Sequence, residues 1–68
     1  MNEETLNLSI RSFLKMVGIN SQRAIEQAVA KAIAEGSITG TQPMPAKMTL
    51  QIAHVNLEVQ FDGEIKLD

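Results

Sequence analysis

The stretch Phe13-Leu14-Lys15-Met16-Val17-Gly18-Ile19-Asn20-Ser21-Gln22-Arg23 decides the fold, because it reads as the end of one helix and the start of another. On its N-terminal side Leu6, Ile10, Phe13, Leu14 and Val17 recur at three- and four-residue spacing. They form one stripe, so residues 3–17 are expected to be helical. Asn2 is a suitable N-cap, and Glu3 and Glu4 fall in the first turn, where the helix dipole favours negative charge. Gly18 suits the left-handed position just past a helix end, with Ile19 folded back over Leu14. Asn20 or Ser21 then caps a second helix over about 21–35. Within it Ile25, Ala28, Val29, Ala32 and Ile33 repeat at helical spacing until Gly36 ends it.

A link this short makes the two helices neighbours in space. Ala24, Ala28 and Ala32 share one flank of the second helix, so another backbone can approach closely there. The apolar arc of that helix covers about half its circumference, wider than the roughly 100° stripe of an ordinary surface helix. The second helix is therefore expected to touch two surfaces, either the first helix and a sheet or this domain and a second chain.

Residues 37–46, Ser-Ile-Thr-Gly-Thr-Gln-Pro-Met-Pro-Ala, have the composition of a linker. Pro43 and Pro45 bias Gln42 and Met44 toward extended backbone. From Ala46 the period becomes two, predicting strands at about 47–52, 57–60 and 64–67. Parity sets the register. If Ile52 opposes Leu57 across the loop Ala53-His54-Val55-Asn56, then Leu50 pairs with Val59 and Met48 with Phe61. A bulged turn at Phe61-Asp62-Gly63 then pairs Val59 with Ile65 and Leu57 with Leu67. The expected fold is α+β: a two-helix hairpin on one face of a small antiparallel meander, in the order α-α-β-β-β, as a single domain over 1–68.

Composition narrows the function. The chain has 68 residues, two phenylalanines as its only aromatics and no cysteine. A domain this small buries only roughly 60 % of its unfolded surface, so its stability is marginal. Disulfides and thiolate zinc sites are excluded, which leaves self-association as the natural supplement. Six basic against eight acidic residues, for a formal net charge of −2, give no global attraction to nucleic acid or anionic membrane. The acidic start Met1-Asn2-Glu3-Glu4 is unlike a targeting segment, and no apolar run approaches the roughly 20 residues that span a bilayer. A cytoplasmic location is expected, with no membrane partner.

Candidate chemistry is sparse. His54 is the single histidine, placed in a predicted loop without partner ligands, and reads as solvated. No Gly-x-Ser-x-Gly elbow accompanies Ser9, Ser12, Ser21 or Ser37. Glu58, Asp62 and Glu64 read as strand-face acids that discourage edge-to-edge aggregation. Gly36-Ser-Ile-Thr-Gly40-Thr41 lacks the lysine and the spacing of a phosphate loop. No catalytic, metal or cofactor site is expected, and an enzyme is not.

Two surfaces remain. Arg11, Lys15, Arg23 and Lys31 offer an anion patch, and the helix–Gly18–helix order invites a helix-turn-helix comparison. Leu14 is bulky where that motif wants a small residue, and Glu26 and Glu35 sit beside the cations of the second helix. Nucleic-acid binding is therefore the alternative reading. The favoured one is a protein-interaction or self-associating module with a contact surface drawn from Leu8, Val29, Ile33 and Phe61.

Four stretches carry a family likeness: Met1-Asn2-Glu3-Glu4-Thr5-Leu6-Asn7, Phe13-Leu14-Lys15 to Gly18, Ser21-Gln22-Arg23 and Pro45-Ala46-Lys47-Met48-Thr49-Leu50. Together they resemble a family of short bacterial proteins whose domain has no known function, over nearly the whole chain. The resemblance implies a bacterial single-domain protein and transfers no catalytic or binding residue.

Overall fold

The computed structural model describes residues 1–39 and 42–67, in two compact units, Met1–Ile38 and Thr39–Asp68. The first unit is built on one helix, α1, Glu3–Ala34, 32 residues long. Asn2 caps it as the sequence predicts. Its extended backbone (φ −102, ψ 112) lets its side-chain oxygen accept from the Thr5 N–H at 3.1 Å. Its carbonyl accepts from Leu6 at 3.0 Å. Glu3 and Glu4 lie in the first turn.

The far end closes on Gly36, also as expected. Gly36 takes φ 73 and donates to the Ile33 carbonyl at 3.1 Å, while Ser37 donates to the Ala32 carbonyl at 2.9 Å. These are the paired bonds of a Schellman stop, and they satisfy carbonyls that the helix end would otherwise orphan.

The break expected at Gly18 does not occur. α1 runs through it, and Gly18 stays out of the left-handed region that Gly36 occupies. Two helices over 3–17 and 21–35 are therefore corrected to one. A glycine inside a helix costs about 1 kcal/mol relative to alanine, which a long helix absorbs. Asn20 caps nothing; its side-chain N–H donates back to the Met16 carbonyl at 2.8 Å, a bond that suits an uninterrupted helix. Ile19 is left exposed instead of folding back over Leu14.

The second unit is a β-hairpin. β1, Met44–Ile52, pairs antiparallel with β2, Leu57–Ile65, through a single 3-10 turn at Ala53–Val55. Asn56 closes that turn in the left-handed region (φ 52, ψ 39) and donates to the Ala53 carbonyl at 3.1 Å. Asparagine tolerates that backbone better than most residues with a side chain.

The pairs Ile52–Leu57, Leu50–Val59 and Met48–Phe61 are those that parity predicts. The predicted turn at Phe61–Gly63 and the third strand at 64–67 do not form. β2 continues through Asp62 and Gly63 to Ile65, and β1 begins at Met44, early enough to supply partners: Lys47 for Asp62, Ala46 for Gly63, Pro45 for Glu64 and Met44 for Ile65. Pro45 is tolerated because both strands are edges, where a missing N–H need not break a ladder. Ile38 is half-buried and lies outside any strand. Within the expected linker, residues 40 and 41 fall outside the described residues.

Candidate interaction surfaces

Each unit has one apolar face. Among the described residues none is buried.

On α1 the apolar positions line up across Gly18. Leu6, Val17 and Ala28 are eleven residues apart in series, as are Ile10, Ser21 and Ala32, and Leu14 and Ile25. A repeat of eleven, about 3.67 residues per turn, nearly matches the helix itself, so the stripe runs almost straight along the rod. Phe13 and Ala24 widen it on one side and Val29 on the other. Val17, Ser21, Val29 and Ala32 are half-buried, whereas Leu6 (43 %), Ile10 (45 %), Phe13 (46 %) and Leu14 (54 %) remain exposed. The N-terminal half of the stripe is large-residued and the C-terminal half, with Ala24, Ala28 and Ala32, is small.

The hairpin separates its faces strictly. Met44, Ala46, Met48, Leu50 and Ile52 on β1 share a face with Leu57, Val59, Phe61, Gly63 and Ile65 on β2. The other face carries Pro45, Lys47, Thr49 and Gln51 against Glu64, Asp62, Gln60 and Glu58. Lys47 stands opposite Asp62, a favourable cross-strand pair. An isolated two-stranded hairpin is marginally stable in water, so its apolar face needs cover.

The residues singled out from sequence are spread over these surfaces. Val29 flanks the α1 stripe, and Phe61 sits on the apolar face of the hairpin opposite Met48. Leu8 and Ile33 lie on the far side of α1 from the stripe, both exposed. Arg11 and Lys15 are one helical turn apart. Arg23 and Lys31 follow at intervals of eight, which rotate each successive cation about 80° around the rod. The four cations therefore wind around α1 instead of sharing one face. With α1 unbroken, the unit has no turn between helices of the kind a helix-turn-helix requires.

Among the described residues no titratable cluster gathers at one point. His54 is exposed in the 3-10 turn. Among the described residues no group of three or more His, Cys, Asp or Glu side chains is placed to hold a metal ion. Glu58, Asp62 and Glu64 lie along the polar face of β2. No helix of the described residues is long and apolar enough to cross a membrane.

What sequence reasoning missed is the length of the stripe. The signal was present in the eleven-residue spacing that carries from Leu6 and Ile10 past Gly18 to Ala28 and Ala32.

Residues 1–68 match the model of a family of unknown function, DUF6494. No curated protein and no solved structure matches the chain.

Proposed function

The chain belongs to that family of unknown function, and from its own surfaces we propose that it is a non-catalytic protein-interaction module of the cytoplasm that associates with itself. One observation carries this reading: a 32-residue helix bears an apolar stripe along its whole length, in a chain where no described residue is buried. A helix without tertiary cover draws little stability from propensity alone. The stripe is therefore the part of the molecule most in need of a partner. At about 1.5 Å per residue α1 is about 48 Å long, and at about 10 Å wide its contact strip projects to roughly 500 Å². Accessible area, traced at the radius of a rolling water, exceeds that projection and approaches the roughly 800 Å² per partner of a stable interface.

Sedimentation equilibrium across a wide concentration range tests the reading. The expected result is a reversible dimer or higher assembly that Val17→Asp dissociates and Leu8→Ser, on the far side, leaves intact. A monomer that stays fully folded at high concentration would remove self-association.

A further inference from the structure

We propose that the occupant of the α1 stripe is the same stripe of a second copy, running antiparallel, so that the large-residued half of each helix packs on the small-residued half of the other. This rests on the self-association proposed above and specifies its geometry. Two features of α1 point to it.

The first is steric. Side-chain size at the contact sets the distance between helix axes, within about 8–10 Å. In a parallel pair in register, Leu6, Ile10, Leu14 and Val17 would meet their own copies at one end, while Ala24, Ala28 and Ala32 would meet theirs at the other. The axes would be pushed apart at one end and drawn together at the other, which two nearly straight stripes cannot satisfy. Reversing one helix evens the layers. With Leu6 opposite Ala32, Ile10 falls opposite Ala28, Leu14 opposite Ala24 and Val17 opposite Ser21. Each layer then joins a larger side chain to a smaller one, and Phe13 opposite Ile25 is the single crowded layer. Alternating large and small across facing positions is how interiors interlock without voids.

The second is charge. Glu3 and Glu4 stand in the first turn of α1 and Lys31 in the last. In the antiparallel register Lys31 of each copy lies opposite position 7, three to four residues, or about 4.5–6 Å along the axis, from the partner's acidic pair, while Glu35 lies opposite Glu3, so each end joins three acids to one base. A parallel pair gathers both copies of Glu3 and Glu4 at one end, the more repulsive distribution. Such rim charges add little affinity, but they discriminate between orientations.

The absence of native cysteine makes the orientation directly readable. Chains carrying Leu6→Cys and chains carrying Ala32→Cys are mixed, oxidised and separated without reductant. The expected product is the mixed 6–32 disulfide, with little 6–6 or 32–32 product. Dominant 6–6 and 32–32 products would establish a parallel pair and overturn the proposal while leaving self-association standing. No cross-link from chains that sediment as dimers would place the interface off the stripe and overturn it equally. A folded monomer would mean that the stripe is covered within its own chain, and both readings would fall. Ser9→Cys carrying a nitroxide, a polar position off the stripe, guards against misfolded interface variants. Between two such labels the antiparallel register predicts about 30 Å, from 20 residues of axial offset at about 1.5 Å each, and a parallel pair predicts less than about 15 Å.

Discussion

Replacing Gly18 by alanine tests the unbroken helix through the sign of the stability change. Gly18 lies well inside α1, outside the left-handed region, and a Cβ built on it meets no heavy atom within 4 Å. Alanine should therefore return the helix-propensity difference and little else, a gain of about 0.8–1 kcal/mol. At about 2.1 cal/mol/K per residue the unfolding entropy of a chain this size is about 0.14 kcal/mol/K, so Tm should rise by about 6–7 °C. Gly36→Ala is the internal comparison. Its Cβ would also meet nothing within 4 Å, but φ is 73, so alanine there must occupy left-handed backbone. That costs about 1–2 kcal/mol, a fall of about 7–14 °C. Thermal melts followed by circular dichroism at 222 nm, at matched protein concentration because association moves Tm, read both variants. If Gly18→Ala lowers Tm as Gly36→Ala does, Gly18 ends a helix and the continuous stripe is wrong.

Asn2→Ala removes the acceptor for the Thr5 N–H and should cost about 1 kcal/mol, with Asn2→Asp largely preserving stability; chemical denaturation measures both. Asn56→Val places a β-branched residue at φ 52 and should destabilise the hairpin by about 1–2 kcal/mol, whereas Asn56→Gly should be neutral or mildly stabilising. Amide-exchange protection along β1 and β2 would report the difference. Lys47→Glu sets like charges against Asp62 across the strands and should cost about 0.2–1 kcal/mol, reduced in high salt and restored by adding Asp62→Lys.

The parts of the fold that were legible share a property: each is decided by local chemistry that admits one solution. Asn2 before two acids, Gly36 before a run that cannot continue a helix, and the parity of Met48, Leu50 and Ile52 against Leu57, Val59 and Phe61 all read correctly. Both errors came from glycines treated as obligatory breaks. Glycine permits a turn without requiring one, and at Gly18 and Gly63 the surrounding pattern argues for continuation. Across Gly18 the apolar stripe keeps its phase; through Gly63 the alternation Val59, Phe61, Ile65 keeps its parity. A break at either point would have discarded an alignment already present. At Gly36 no such alignment exists on the far side, and there the helix stops. Among the candidate surface residues, Val29 and Ile33 come from the wide apolar arc expected of a second helix. Leu8 and Phe61 come from their expected place outside the core pattern, and the winding of Arg11, Lys15, Arg23 and Lys31 becomes visible only once both halves of the helix are one rod.

That none of the described residues is buried has a consequence for turnover if the chain self-associates as proposed. A chain that must meet its like before it can hide its greasy side chains is only as folded as it is abundant. When copies are scarce, solitary molecules spend longer with their peptide bonds open to proteases, and scarcity hastens their removal. When copies are plentiful, mass action shelters them, so the level of such a protein rises more steeply than the rate of its synthesis.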